Sequence, residues 1–269
     1  MCGIVAYIPT TTTTLPPDIE QQVRRRLKTI FHRGPDFQNV STVAGGAAVL
    51  GHARLAIVDP SSGPQPIVGE NGDAVAVNAE IYNHSLLRKD FESNFAFKTQ
   101  CDCEVLLPAC REWSGKKVGG ALDGQFAFVW VDGLQKGDFV ACRDPLGINP
   151  LYWAKTEKGI WFASEVKAIH DIPGACAFPP GHVAGIKDGV FFFERYYEPD
   201  WVAKGALGTV PHSAAAFREV FEAAIDKRLM ADVEFGVLLS GGLDSSLVAA
   251  LAQRRCKTGR LKSFSIGLE

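Results

Sequence analysis

Residues 1–8 read Met1-Cys2-Gly3-Ile4-Val5-Ala6-Tyr7-Ile8. A cysteine stands where removal of one residue makes it the N-terminus, and a short apolar run follows. The run predicts a buried first strand, closed by Pro9 and the threonines at 10–14. Two readings of Cys2 compete: a core thiol on that strand, or a nucleophile whose own α-amino group is the base. A thiol of ordinary pKa is only roughly a few per cent thiolate at neutral pH. An α-amino group, with a reference pKa of about 7.7–8.0, is partly neutral there and can take the proton. A Cys2 freed of Met1 would carry both groups. The rest of the chain has to choose.

The chain has 269 residues, 46% hydrophobic and 22% charged, which fits a soluble globular protein of one or two domains. A net charge of −2 and a pI near 6.3 give no pull toward nucleic acid or an anionic membrane. Arg24-Arg25-Arg26 with Lys28 lies in a helical pattern without interleaved aromatics, and reads as a solvated face. No run approaches the 18 or so apolar residues of a membrane span. No basic segment precedes the first apolar run, so no secretory leader is read there. Seven scattered cysteines, an odd number, argue against a disulfide framework and for a reduced, cytosolic setting. Cys101-x-Cys103 with Cys110 lacks a second pair at zinc spacing, so no metal site is expected.

Pro16-Pro17-Asp18 starts a helix carried by Ile19, Val23, Leu27, Ile30 and Phe31. From about 40 to 165, β-rich runs recur at 47–51, 74–78, 125–132, 139–142 and 159–163, with a helix over 104–113. That pattern predicts an α+β domain of sheets with helices packed outside. Asp200-Trp201 and the Gly/Ala/Thr-rich stretch to Pro211 read as a linker. Beyond it come a helix over 217–229, a strand over 233–239, a loop, a helix over 244–254 and a strand over 261–267. That order is the start of a parallel α/β nucleotide-binding sheet.

The loop is Ser240-Gly241-Gly242-Leu243-Asp244-Ser245-Ser246. Its glycines permit a tight turn and close approach of an anion, and the helix start behind it presents unpaired N–H groups. No G-x-x-x-x-G-K-[ST] occurs, so the P-loop reading fails. The segment resembles the pyrophosphatase loop (PP-loop) of ATP-dependent adenylating enzymes.

In the first half, an amino-acid substrate needs a fork for its carboxylate, anions for its ammonium and donors for an oxyanion. Arg54, then Asp102 with Glu80, then Asn78 with a neighbouring backbone N–H supply these types. The segments MCGI, HRGPD, RLAIVD, VNAEIYNH, CDCEV, DGQFAF, RDPLGINPLY, FASEVKAI and FPPGH, then LLSGGLDSS and SFSIGLE, occur in that order. Together they resemble the glutamine-hydrolysing asparagine synthetase family. The likeness covers a class II glutamine amidotransferase domain over residues 2–200 and the start of a synthetase domain over 212–269.

The resemblance implies a four-layer αββα N-terminal-nucleophile sandwich followed by the beginning of a PP-loop domain. It implies that Cys2 attacks the side-chain amide of glutamine, with Asn78 and the N–H of Ala79 holding the oxyanion. Arg54 would grip the substrate carboxylate, and Asp102 and Glu80 its ammonium. Leu55, Ala56, Ile57 and Val58 would shape the pocket. In the second half Leu238 and Ile266 would flank the adenine of ATP. Ser240, Gly241, Gly242, Asp244 and Ser245 would hold its pyrophosphate with magnesium. The family's reaction takes ammonia to β-aspartyl-AMP formed from aspartate, in the cytosol, and the family suggests a homodimer.

Three departures stand out. The usual N-G-E is Asn78-Ala79-Glu80, which would strain a left-handed backbone. Asn149 stands where lysine is common and receives no functional account. The chain stops at Glu269, so glutamine hydrolysis is the activity expected to be intact. Two other readings are a non-catalytic scaffold docking through its C-terminal piece, and an amidotransferase acting on a different adenylated carboxylate.

Overall fold

The computed structural model describes residues 1–10, 15–61, 65–113, 115–203, 213–256 and 259–267. Threonines 11–14 and residues 204–212 of the expected linker lie outside these. Strands run in chain order β1 (Gly3–Pro9), β2 (Phe37–Val43), β3 (Ala48–Arg54), β4 (Ile67–Val68), β5 (Ala74–Ile81), β6 (Gly124–Val131) and β7 (Phe139–Arg143). They continue as β8 (Tyr152–Lys155), β9 (Gly159–Ala163), β10 (Cys176–Ala177), β11 (His182–Lys187), β12 (Val190–Arg195), β13 (Gly236–Leu238) and β14 (Lys262–Phe264). The helices are α1 (Ile19–Lys28), α2 (His84–Phe91), α3 (Leu106–Glu112), α4 (Gly115–Ala121), α5 (Asp200–Ala203), α6 (Ala214–Arg228) and α7 (Leu243–Arg255).

Two six-stranded antiparallel sheets form, in the orders β10-β8-β9-β1-β3-β2 and β12-β11-β7-β6-β5-β4. Side-chain alternation along each strand divides the apolar residues between layers. Ile4, Ala6 and Ile8 of β1 and Ala48 and Leu50 of β3 meet Ala74, Ala76, Ala127 and Val129 of the second sheet between the sheets. The opposite face of β1, Val5 and Tyr7, packs on Ile19, Val23 and Leu27 of α1. Val75, Val77, Phe126 and Phe128 pack outward on Leu87 and Phe91 of α2 and Leu106 of α3. Helix, sheet, sheet, helix follow in order, which is the expected αββα sandwich.

The structure also amends the expectations. The presumed linker opens with a short helix, α5, so Asp200 and Trp201 are not extended. The helix expected over 104–113 splits into a 3-10 turn at Asp102–Val105 and α3. The last strands are shorter than expected: β13 and β14 pair in parallel over three residues each.

Candidate active site

The same alternation that fills the inter-sheet core builds the site at its end. Inward positions run 4, 6, 8 on β1, 48, 50 on β3 and 74, 76 on β5, all apolar. Continued toward one end, the three series reach Cys2, then His52 and Arg54, then Asn78 and Glu80. Cys2, Arg54, Asn78 and Glu80 line one pocket with Leu55, Ile57, Val58, Ala79 and Asp102. Ala56 does not line it, and contributes a backbone N–H to Asp36 Oδ2 at 2.9 Å. Gln65, Cys101, Gln125 and Asn149 line it as well and went unread in the sequence. Asn149 carries a signal there as an unexplained departure, and Cys101 and Gln125 as members of the CDCEV and DGQFAF segments, though none of them as a site residue.

Cys2 Sγ accepts the Leu55 N–H at 3.3 Å. Burial pushes the thiol up, against the pull of the Leu55 N–H, the N-terminal ammonium and Arg54. Burial also lowers the N-terminal amine, here that of Met1. The HRGPD segment braces this end of β1. Arg33 Nε donates to Cys2 O at 3.0 Å. A Cβ on Gly34 would sit 2.1 Å from Ala53 O, so only glycine passes there.

The donors opposite Cys2 follow from strand register. Phe126 commits both backbone groups to Asp144, accepting its N–H at 2.8 Å and donating to its Oδ2 at 3.3 Å. Its neighbour Ala127 therefore faces β5 and bonds Asn78, its partner in register. Alternation turns the N–H groups of Ala79 and Ile81 to the far edge of β5, where Ile81 donates to Asp102 Oδ2 at 2.7 Å. β4 covers only Ala74 and Val75 of that edge, so among the described residues no strand pairs with Ala79 there. Asn78 Nδ2 is buried and meets no acceptor among the described residues. Ala79 lies in strand conformation and is not among the residues of positive φ, so the strain feared for its methyl does not arise.

Arg54 is 7% exposed and donates to the carbonyls of Asp59 at 2.8 Å and Pro60 at 3.4 Å, curling the 55–60 loop around itself. Asp232 grips that loop from the second region, donating its N–H to Ile57 O at 3.0 Å and accepting that of Asp59 at 2.8 Å. Burial pushes Asp102 up, and burial with the Asp102 charge pushes Glu80 up. Burial disfavours the charged form of each, and an incoming cation would favour it. The ligand atoms of Cys101, Asp102 and Cys103 lie within 4.8 Å of one another, and Cys103 Sγ also reaches Ala79 O at 3.8 Å.

The nucleotide-loop residues lie elsewhere. Gly241 takes the left-handed φ of +84° that turns the chain from β13 into α7. Ser240 Oγ and Ser245 Oγ are 3.0 Å apart, and Ser245 also donates to Gly242 O. Gly242 is the N-cap of α7 and Asp244 lies in its first turn. Leu238 and Ile266 are 83% and 101% exposed, so the described residues build no wall around either.

The comparisons bear on both halves. The model of the glutamine amidotransferase domain matches residues 1–179, and that of asparagine synthase matches 216–269. A glutamine-hydrolyzing asparagine synthetase of Arabidopsis thaliana is 42% identical across the whole of this chain, which covers 47% of that relative. One from Oryza sativa subsp. japonica is 41% identical, with 46% of its length covered. The chain thus spans about half the length of the curated relatives it matches. Among solved structures, an allosteric regulatory enzyme of purine biosynthesis superposes with a TM-score of 0.56 at 21% identity, over 97% of this chain and 65% of that one. The glutamine phosphoribosylpyrophosphate amidotransferase of B. subtilis gives 0.56 at 20%, over 98% and 65%. At that identity they speak for the fold alone. With the amidotransferase model matching more than half of its residues, the chain belongs to the glutamine amidotransferase domain family.

Proposed function

We propose that this chain hydrolyses glutamine to glutamate and ammonia at Cys2. The observation that carries the reading is the convergence on one pocket of the Cys2 thiol, the Asn78 amide, Arg54 and Asp102. Once Met1 is removed, the α-amine of Cys2 takes the Sγ proton, and sulfur bonds to the side-chain carbonyl carbon. The charge on oxygen falls to Asn78 Nδ2 and the Ala79 N–H. Collapse breaks the C–N bond, and ammonia leaves with the proton held on the amine. Water then cleaves the thioester. Arg54 meets the substrate carboxylate, while Asp102 and Glu80 face its ammonium, a cation that opposes the upward push of burial on both. The α-amine of a Cys2 freed of Met1 has an ordinary value of about 8 and takes the Sγ proton only when neutral, so kcat/KM should rise with pH through that range.

The domain limits that suit this reading are 2–200 for the amidotransferase and 212–269 for the synthetase part. In a longer chain the ammonia would be used for ATP-dependent amidation of aspartate. The Ser240–Ser246 loop has the open N–H groups and hydroxyls that suit a pyrophosphate with magnesium. ATP would supply an AMP leaving group to the aspartate carboxylate. A cytosolic site and a homodimer belong to the same proposal. Among the described residues no helix is long and apolar enough to cross a membrane.

The test is intact mass together with a glutaminase assay on the parent and on Cys2→Ala. The parent should lack Met1 and release ammonia and glutamate, and the variant should release neither. Undiminished turnover by Cys2→Ala would refute the role of the thiol.

A further inference from the structure

Asn149 lies in the turn after β7 and is 1% exposed. Its Nδ2 donates to the carbonyl of Asn78 at 2.7 Å. That carbonyl already faces Ala127 in the ladder, so the Asn149 amide is a second donor on the same oxygen. Asn149 is itself held: its N–H donates to Asp144 Oδ2 at 2.9 Å, and its carbonyl accepts Arg143 Nε at 2.9 Å. Arg143 and Asp144 further bind the carbonyl of Gly147 and the N–H groups of Leu146 and Ile148, so the whole turn is fixed.

The Asn78 carbonyl and the Ala79 N–H belong to one peptide group, which is planar with C=O and N–H opposed. Whatever fixes the oxygen fixes the direction of the hydrogen. On its other edge β5 pairs with β4 only at Ala74 and Val75, and past them the contacts of the Asp102–Val105 turn fall on Ile81 N–H and Ala79 O, so among the described residues the 78–79 peptide is held chiefly from the β6 side. Donation to the carbonyl also polarises the amide and strengthens its N–H as a donor. Packing alone does not explain the residue. Asn149 Oδ1 is buried with no partner among the described residues, a cost that an apolar side chain of similar size would avoid.

We propose that Asn149 is a positioning residue for glutamine hydrolysis: its amide locks the 78–79 peptide so that the Ala79 N–H stays aimed at the oxyanion. The inference rests on the function proposed above. It gives the departure at position 149 a role.

The test uses the full chain with Asn149→Ala and the isosteric Asn149→Asp, which loses the donor and sets an acceptor against the carbonyl. Both should lower kcat for glutamine about ten- to a hundredfold while KM stays within about threefold, less than outright loss of an oxyanion donor. Glutamate γ-semialdehyde, whose aldehyde carbon bonds to Cys2 Sγ and whose oxygen enters the same hole, should bind more weakly by the factor lost in kcat/KM. Glutamine binding in a Cys2→Ala background should not change when Asn149→Ala is added. If either variant folds and keeps kcat and aldehyde affinity within about twofold, the lock is wrong. A loss confined to KM overturns it equally. Activity in Cys2→Ala would instead bring down the underlying reading, so the two failures are distinguishable.

Discussion

The two candidate sites sit on opposite kinds of support. The Cys2 pocket closes off an inter-sheet layer in which Ile4, Ala6, Leu50, Ala76 and Val129 have almost no exposure. Cys2, Arg54, Asn78 and Glu80 end the inward series of β1, β3 and β5, which begin apolar on that face. The Ser240–Ser246 loop hangs on a two-stranded parallel sheet in which Leu238 and Phe264 are 83% and 59% exposed. Both are built from a strand end followed by a turn. Only in the first does the surrounding packing hold each donor in place, and that difference shows why a matching motif is a weaker statement than a matching site.

The largest effect is expected at the nucleophile. Cys2→Ala should cost at least about a thousandfold in glutamine turnover while leaving thermal unfolding almost unmoved. Native-state hydrogen exchange separates the supports: amides of β1 and β6 should be protected by several kcal/mol more than those of β13 and β14, on the order of the stability of a domain core. Equal protection would erase the contrast. Asp102→Asn should lower kcat/KM for glutamine about a hundredfold, through loss of a buried charge facing the ammonium. An effect on kcat with KM unchanged would move Asp102 out of the binding role.

Acid acts on the first region through a histidine, a residue type that 213–269 lack. His52 is buried between the sheets, and burial with the nearby Arg54 charge lowers it from 6.5 to about 3. The unfolded chain therefore binds a proton that the folded chain refuses. Stability should be whole above pH 6.5 and fall by about 1.4 kcal/mol per unit toward pH 3. His52→Asn should flatten that slope in urea titrations at successive pH values. The smallest effect is expected at the seam. Asp232→Ala removes one acceptor from the glutamine loop and should raise KM about two- to tenfold, the worth of a single hydrogen bond.

Much of this architecture was legible because buried strands announce themselves. β1, β5, β6, β7 and β9 were expected from apolar runs, with ends misplaced by a few residues at most. β2 was missed for a physical reason: it is an edge strand, and Phe37, Gln38 and Thr42 face solvent, so no alternation shows. The β11–β12 hairpin had a readable signal in Asp188-Gly189, both at positive φ, which is the two-residue turn that joins twisted strands. At the site, residue types could be named from the sequence, but partners could not. Nothing in the spacing says that Arg54 bonds its own loop, or that Asn149 reaches across from the turn after β7 to Asn78.

The grip of Asp232 on Ile57 and Asp59 makes one peptide of the substrate loop answer to a distant part of the chain. The Asp59 amide proton is shielded only while residues near β13 stay docked. Its exchange rate therefore measures the undocking of the weakly supported half, read out from within the well-supported one.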